Sequence, residues 1–216
     1  MADPRLNELL RWSIENSEES RNDATAAPPQ TNLTPEVMAA LMGGPSEADL
    51  MKAAMQVITS DEADITLDDK LIAFDNFEQL IESLDNANNI ENLGLWTPLL
   101  EQLKSDQPEC RKMAAWCIGT AVQNNEKTQE RLFAVGGIPP LVELSTKLSE
   151  QEDVRRKAIY ALSSGCRNYQ QSLDLAIEEL KKKGHEYDAA DATDMESVDK
   201  IIHDLREKAK VVQNGH

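Results

Sequence analysis

The chain has 216 residues, of which 40% are hydrophobic and only 4% aromatic, so it can bury a sizeable core but is poorly suited to a β-sandwich or barrel. Its 39 acidic and 22 basic side chains give a formal charge of −17, which repels phosphate backbones and anionic lipid headgroups. We therefore expect a protein that binds neither nucleic acid nor membranes.

The N-terminal part of the chain predicts two segments ahead of the folded body. Residues 1–17 place apolar side chains at helical spacings, which predicts a short helical or flexible segment. Those side chains are Leu6, Leu9, Leu10 and Ile14. Residues 18–34 are polar and proline-bearing, which is typical of a disordered linker.

Residues 35–65 predict N-terminal capping helices. Thr34 can cap a helix that has Pro35 at its first position, and the Gly-Gly-Pro at 43–45 stops that helix. Ser46 then caps a second helix, whose acidic first turn suits the positive end of the helix dipole.

Two sequence blocks recur along the middle of the chain. GLWTPLLEQL aligns with GGIPPLVELS, and CRKMAAWCIGTAVQNN aligns with VRRKAIYALSSGCRNY, with a fainter copy in DKLIAFDNFEQLIESL. Equivalent positions lie 41 to 44 residues apart, which is the period of armadillo or HEAT solenoids. We therefore predict an all-α fold, a right-handed superhelical solenoid with armadillo-like repeats over residues 66–169 and helical caps.

The third helix of each repeat has one apolar and one polar side, because residues four apart lie on the same side of a helix. In the predicted 113–125 helix the apolar stripe consists of Ala114, Cys117, Ile118, Ala121 and Val122. The outward side carries Trp116, Thr120, Gln123 and Asn124. The 157–169 helix repeats this pattern, with Tyr160, Ser164, Arg167 and Asn168 outward.

The predicted 72–84 helix has the same two sides. Its buried side is expected to hold Ala73, Phe77, Leu80, Ile81 and Leu84. Stacking the repeats then aligns the outward residues in three rows: Asp75, Trp116 and Tyr160; Gln79, Thr120 and Ser164; and Ser83, Asn124 and Asn168. A ladder of polar and aromatic groups on one face is what a concave binding surface requires.

Each of the central outward residues also has a purely structural interpretation. Trp116 and Tyr160 can be core aromatics that fill gaps between helices, and Asn124 and Asn168 can simply end their helices. The position of both aromatic residues opposite the apolar stripe favours an anchor at a protein interface.

The residues give little support to catalysis. Cys117 is the candidate nucleophile of a thiol hydrolase, but its phase places it on the apolar stripe. Three scattered histidines and three separated cysteines do not provide metal-ligand spacing, and the sequence contains no phosphate-binding glycine loop. We expect no enzyme activity and no cofactor. The cysteine pattern and a start without a signal-peptide-like run predict a cytoplasmic protein.

Several stretches resemble one family closely: NELLRWSIENS, GGPSEADLMKAAM, KLIAFDNFEQLIESLDNANNIENLGLWTPLL and AAWCIGTAVQNNEK. That family is the cytosolic armadillo-type nucleotide exchange factors of heat-shock protein 70 chaperones, which includes the fungal Fes-type factors and the animal heat-shock-binding proteins. The resemblance extends from Leu6 to about Tyr169, and its most specific stretches are LIESLDNANNIENL and IGTAVQNN.

The resemblance implies a protein without a cofactor, whose concave face binds the nucleotide-binding domain of the chaperone and accelerates ADP release. It adds the LDNANN motif to the partner-binding residues, at Asn86, Ala87, Asn88 and Asn89. It also implies a release segment that competes with substrate for the chaperone's peptide site, through Leu9, Leu10, Trp12 and Ile14. The alternative for this segment is a helix that packs on the solenoid.

The chain departs from the family after Tyr169, because some members continue with a fourth full repeat. Residues 170–216 predict only a partial repeat, an acidic loop and a C-terminal capping helix, so a shorter chaperone-binding surface is expected. We expect a monomer. The alternative function is a generic armadillo adaptor that binds an extended peptide, although such adaptors use regular Trp-Asn ladders and only one outward tryptophan occurs here.

Overall fold

The computed structural model describes residues 44–210, which form ten α-helices and one short 3₁₀ helix and contain no strand. The prediction of an all-α fold is therefore confirmed. In chain order the α-helices are α1 (Glu47–Thr59), α2 (Leu67–Ile81), α3 (Leu84–Asn89), α4 (Trp96–Glu101), α5 (Pro108–Val122), α6 (Glu126–Ala134), α7 (Ile138–Thr146), α8 (Glu152–Cys166), α9 (Gln170–Lys182) and α10 (Met195–Lys210). The 3₁₀ helix, Gln102–Lys104, directly follows α4.

The predicted N-terminal segment, the linker and the first capping helix lie outside the described residues. The second capping helix is α1, which begins one residue after Ser46, where the sequence predicts a cap. All ten α-helices belong to one unit that begins at Glu47. None of the described helices is long and apolar enough to cross a membrane.

Four helices pack side by side in the order α2, α5, α8 and α10, and α1 packs on the outer side of α2. A second set, α7 and α9, covers the back of α8, and α7 also contacts α10. The third helices of the predicted repeats are α2, α5 and α8, so the repeat alignment correctly identifies which helices are neighbours.

Local sequence signals set the ends of these helices. Thr66 and Asp69 form a capping box at the start of α2, where the Asp69 amide donates to Thr66 Oγ1 and the Thr66 amide donates to Asp69 Oδ2. Beyond α5 and α8, Asn124 and Asn168 take φ angles of 53° and 59°. Asparagine tolerates this left-handed conformation, which ends a helix, so the helix-ending interpretation of both asparagines is confirmed.

The predicted apolar stripes form the core. In α5 every residue of the stripe, from Ala114 to Val122, is at most 1% exposed, and Cys117 is fully buried. One stripe residue is predicted wrongly, because Leu84 is 59% exposed. The sequence pattern treats 72–84 as one helix, whereas α2 ends at Ile81 and Leu84 begins α3 with a new phase.

Neighbouring repeats are joined by an ion pair between the half-buried Arg111 and the buried Glu150. Arg111 of α5 donates from Nε and Nη2 to the two carboxylate oxygens of Glu150, at 2.7 and 2.8 Å. Its Nη1 also donates to the carbonyl oxygens of Ser105 and Asp106. Paired charges of this kind are costly to break in the interior, so Arg111 fixes the position of one repeat on the next.

Candidate protein-binding surface

The candidate surface is the exposed side of α2, α5, α8 and α10, which we call the ladder face. It carries most of the outward residues predicted from the sequence. Among these, Asp75, Gln79, Ser83, Gln123, Asn124 and Asn168 are exposed, and Trp116, Thr120, Tyr160 and Arg167 are half-buried. Asn88 and Asn89, which the family resemblance adds, are half-buried in α3. The structure therefore brings the predicted side chains to one side of the helix layer, but it also ties many of them to one another.

Trp116 lies at the centre of the ladder face, in contact with a cation that the sequence analysis missed. Lys157 of α8 places its Nζ 3.9 Å from the centroid of the Trp116 ring and 5.7 Å from that of Tyr160. Burial lowers the pKa of Lys157, and the negative charge of Glu78 opposes that shift. The helical spacing of three residues between Lys157 and Tyr160 is a signal that would have placed Lys157 on this face.

Tyr160 packs closely against the neighbouring helix at Gly119. A Cβ atom built on Gly119 would lie 2.4 Å from Cε1 of the Tyr160 ring, so only glycine permits this approach. The Tyr160 hydroxyl donates to Gln123 Oε1 at 3.0 Å. These two contacts hold the Tyr160 ring, which belongs to α8, against the surface of α5.

A second bridge joins α2 to α5. The Thr120 hydroxyl donates to Glu78 Oε1 at 2.7 Å, and Glu78 is only 5% exposed. A buried carboxylate needs such donors, because leaving it unpaired is costly. Glu78 was not predicted, since its position in α2 is equivalent to Gly119 and the two residues share no chemistry.

The α2 end of the ladder face is open and acidic. Gln79 Nε2 donates to Asp75 Oδ2 at 2.9 Å, and both side chains are exposed. Ser83 follows one turn later, between α2 and α3. This end therefore offers polar groups that are free to exchange their mutual contact for a partner.

At the C-terminal end of α8, Arg167 joins the ladder face to α10. Its Nε donates to Ser163 Oγ at 3.1 Å, and its guanidinium also pairs with Asp199. The exposed Asn168 follows directly, and its amide donates to the carbonyl oxygen of Ala192 at 2.9 Å. Arg167 thus serves as a structural bridge between two helices as well as a surface residue.

Three of the predicted partner-binding residues are buried, so their expected exposure was wrong. Ala87 is 3% exposed and belongs to the core, and Asn86 is 7% exposed. The Asn86 amide donates to Glu47 Oε2 and to the Leu80 carbonyl, both at 2.9 Å, and so ties α1 to α3. Ser164 is 8% exposed because α8 is flanked by α5 and α10 and the short serine side chain does not reach past them.

The other two residues of the LDNANN motif are half-buried and form local amide pairs. Asn125 Nδ2 donates to Asn88 Oδ1 at 3.2 Å, and Asn92 Nδ2 donates to Asn89 Oδ1 at 3.2 Å. The first of these bonds connects α3 to the residue that caps the start of α6. The motif therefore contributes to the spacing between repeats.

Cys117 does not have the environment of a nucleophile. It is fully buried, and burial raises the pKa of its thiol well above the ordinary value. Its Sγ lies 3.7 Å from the Phe74 carbonyl oxygen. The prediction that Cys117 packs between repeats is confirmed. Within residues 44–210 no group of three or more His, Cys, Asp or Glu side chains is arranged to hold a metal ion.

The predicted release segment, Leu9 to Ile14, lies outside the described residues, and its role stays a prediction.

Two family models match the chain in adjoining stretches. Residues 6–90 match the model described as nucleotide exchange factor Fes1, and residues 86–184 match the SIL1/FES1/HPBP1 C-terminal domain. The chain is 70% identical over 209 residues to a protein of Gibberella zeae named Hsp70 nucleotide exchange factor FES1, covering 96% of this chain and 98% of that one. It is 50% identical over 243 residues to the factor of the same name from Neurospora crassa, covering 96% and 99% of the two chains.

Among solved structures, the crystal structure of an engineered protein is similar at 18% identity, with a TM-score of 0.52. The match covers 94% of this chain and 78% of that protein. At this level of identity the likeness concerns the fold alone.

Proposed function

The chain belongs to the Fes1 family of nucleotide exchange factors, and we propose that it binds the nucleotide-binding domain of a cytosolic Hsp70 chaperone and accelerates the release of ADP. The single observation that carries this proposal is the end-to-end match to a relative named as an Hsp70 nucleotide exchange factor, at 70% identity over 98% of that relative's length. Faster ADP release would in turn speed the release of the chaperone's substrate.

The ladder face is the proposed grip, and its central residues are supported by their positions. Trp116 and Tyr160 stand side by side on α5 and α8, and Lys157 contacts both rings. Half-buried aromatic residues held in one orientation lose little conformational freedom on binding, which makes them suitable anchors. Around them we propose contacts from the exposed or half-buried members of the predicted set: Asp75, Gln79, Ser83, Asn88, Asn89, Thr120, Gln123, Asn124, Arg167 and Asn168.

The proposed mechanism requires no chemistry from the protein. A partner that binds the open, ADP-free chaperone more tightly than the ADP-bound form must lower ADP affinity by the same factor, because the two equilibria are linked. A thousandfold effect corresponds to only about 4 kcal/mol of differential binding. An interface centred on two aromatic anchors and a cation can supply that difference.

We further propose that the protein works in the cytoplasm as a monomer, and that residues Leu9, Leu10, Trp12 and Ile14 compete with substrate at the chaperone's peptide site. The described cysteines are all free and buried, which suits a reducing compartment. The alternative of a peptide-binding adaptor is less well supported. Such adaptors use regular ladders of tryptophan and asparagine, whereas within residues 44–210 Trp116 is the only tryptophan that is not buried.

A stopped-flow measurement of labelled ADP release tests the proposal. The chaperone is loaded with fluorescent ADP and mixed with excess unlabelled nucleotide, with and without the full chain. We expect release to accelerate with increasing concentration of the protein until it saturates. An unchanged release rate at saturating protein would refute the proposed function.

A further inference from the structure

Glu78 is a buried carboxylate beside the centre of the ladder face, and it has few partners of its own. It is 5% exposed. Within residues 44–210 its carboxylate accepts one hydrogen bond, from the Thr120 hydroxyl to Oε1 at 2.7 Å, and forms no ion pair. A buried charge that is neither paired nor fully hydrogen-bonded is costly, and a carboxylate can accept several hydrogen bonds. Glu78 therefore has unused capacity to interact with a cation.

Lys157 brings a cation to the same part of the ladder face. Its Nζ lies 3.9 Å from the centroid of the Trp116 ring and 5.7 Å from that of Tyr160. The side chain is half-buried, and no other described residue forms a hydrogen bond or an ion pair with its ammonium group. Burial lowers the pKa of Lys157, and the negative charge of Glu78 opposes that shift. The two charges therefore attract each other in the free protein, although they form no direct ion pair.

One turn of α5 connects the two charges. Trp116 and Thr120 are four residues apart and so are neighbours on the same side of this helix. Glu78 of α2 bonds to Thr120, and Lys157 of α8 contacts Trp116. The carboxylate, the ammonium group and the indole ring therefore belong to one cluster, which spans three neighbouring helices.

A protein that binds over Trp116 would change the electrostatic balance of this cluster. A well-packed interface excludes water from its centre, so the half-buried ammonium group of Lys157 would lose hydration. An unpaired charge in such a place is costly, whereas the attraction between two opposite charges increases as the surrounding dielectric constant falls. The stabilisation that Glu78 gives to Lys157 is therefore small in the free protein and larger in a complex.

We propose that Glu78 is a positioning residue of the chaperone-binding surface, and that its carboxylate neutralises Lys157 when the chaperone covers Trp116. This inference rests on the proposed function. It also describes the partner. Because Lys157 is neutralised from within the chain, the part of the chaperone that covers Trp116 needs no carboxylate and is uncharged.

A double-mutant cycle in the full chain tests this inference. Glu78→Gln removes the negative charge but keeps the size and an acceptor for Thr120, and Lys157→Met removes the ammonium group but keeps the apolar stem. Each single variant leaves one charge unpaired in the interface and should weaken binding to the chaperone about tenfold. The variant with both substitutions leaves neither charge and should bind within about threefold of the wild type. Isothermal titration calorimetry measures the four affinities.

Two further variants serve as controls. Glu82→Gln makes the same substitution at an exposed carboxylate directly after α2, and the affinity should stay within about twofold of the wild type. Lys157→Arg keeps the positive charge and should bind within about threefold of the wild type. Thermal melting checks that each variant is folded at the temperature of the titration. Lys157 is half-buried, so its two variants provide a comparison that does not depend on the folding of Glu78→Gln.

Several results would overturn the inference while leaving the proposed function intact. Additive losses in the double variant would show that Glu78 and Lys157 act separately. A double variant as weak as Lys157→Met would show that Lys157 pairs with a carboxylate of the chaperone instead. Wild-type affinity in Glu78→Gln or in Lys157→Met, or an equal loss in Glu82→Gln, would remove the role of the pair. If the wild-type chain itself fails to bind the chaperone, both the proposed function and this inference fall.

Discussion

The ammonium group of Lys157 lies 3.9 Å from the centre of the Trp116 ring, across the boundary between two repeats. An isolated aromatic side chain on a surface would sample several rotamers, whereas this one is held by a cation on the neighbouring helix. The contact therefore connects the packing of the repeats to the proposed function. The same side chains that join α5 to α8 also hold the proposed anchor in place.

Removing the two aromatic anchors should separate binding from folding. Replacing Trp116 and Tyr160 together with alanine is expected to weaken chaperone binding by about 30-fold or more, because buried aromatic anchors contribute most of the energy at an interface. Both residues are half-buried, so circular dichroism should still report a helical protein. Gln79→Ala, on the exposed end of the same face, is the control and should change the affinity less than fivefold. Wild-type affinity in the double variant would refute the proposal that the ladder face binds the chaperone.

The cation–π contact can be tested without removing the ring. Lys157→Met keeps the apolar stem over Trp116 but removes the charge, so the free energy of unfolding should fall by about 0.5 to 1 kcal/mol. Lys157→Arg keeps the charge and should therefore retain most of the wild-type free energy of unfolding. Chemical denaturation measures both variants, with Lys112→Met as the control, since its ion pair with Asp153 is largely exposed and is worth less than about 0.5 kcal/mol. Equal stability of Lys157→Met and wild type would show that the charge contributes nothing.

Gly119 should not tolerate a methyl group while Tyr160 is present. In an open helix Gly→Ala stabilises by about 1 kcal/mol, but here the new Cβ would lie 2.4 Å from the Tyr160 ring. We expect Gly119→Ala to destabilise the protein by about 1 to 3 kcal/mol. In a Tyr160→Ala background only a 3.2 Å approach to Ala161 Cα remains, so the cost should be smaller. A double-mutant cycle with no coupling between the two sites would contradict the packing described here.

Two arginines at equivalent positions should respond in opposite ways to the same substitution. Arg111→Met leaves Glu150 buried without its partner and should cost about 3 kcal/mol. Arg155 is 3% exposed and its Nε has no hydrogen-bond partner among the described residues. Arg155→Met should therefore leave the free energy of unfolding unchanged or raise it by about 1 kcal/mol. Denaturant titration measures the free energy of unfolding of both variants. An equal decrease in the two would contradict the different roles assigned to the two arginines.

The same ion pair predicts a pH dependence. Burial raises the pKa of Glu150, but the hydrogen bonds from Arg111 and the Gln151 amide outweigh it and hold the pKa below its ordinary value of 4.5. A carboxyl group with a depressed pKa stabilises the fold above its ordinary pKa and loses that contribution as the pH falls through the folded-state value. The stability difference between wild type and Arg111→Met should therefore shrink as the pH falls below 4.5. A constant difference would show that the charge of Glu150 is not involved.

The buried thiols should be protected from alkylation. Burial raises the pKa of Cys166 to about 12 and that of Cys117 well above the ordinary value, so neither is a thiolate at neutral pH. Mass spectrometry after brief treatment with iodoacetamide should find both unmodified in the native protein and modified in denaturant. Rapid modification of native Cys117 would revive the thiol hydrolase hypothesis.

Helical phase predicted the buried side of the repeats well and the free side less well. The stripe from Ala114 to Val122 is correct because burial against two neighbouring helices depends only on direction around the helix axis. Ser164 was placed outward by the same rule but is covered, since α10 closes the side where the repeats end. Helical phase predicts exposure only where no further helix covers the outward side. In the last repeat, α10 covers part of that side.

Side-chain pairs between repeats could not be read from the sequence. The bond from Thr120 to Glu78 joins residues 42 positions apart, and it does not recur in the next pair of helices, because the position equivalent to Glu78 is Gly119. The approach of Tyr160 to Gly119 is of the same kind, because it depends on the distance between two helices. These contacts follow from the packing of whole helices, which local periodicity does not specify.

The central claim is that the protein prefers the ADP-free form of its chaperone, and the most direct test is to compare two dissociation constants by isothermal titration calorimetry. The full chain is titrated into the chaperone without nucleotide and into the chaperone saturated with ADP. We predict markedly tighter binding to the nucleotide-free form, by the same factor by which saturating protein lowers the chaperone's affinity for ADP. Equal affinity for the two forms would contradict it, because a partner that does not distinguish them cannot displace ADP.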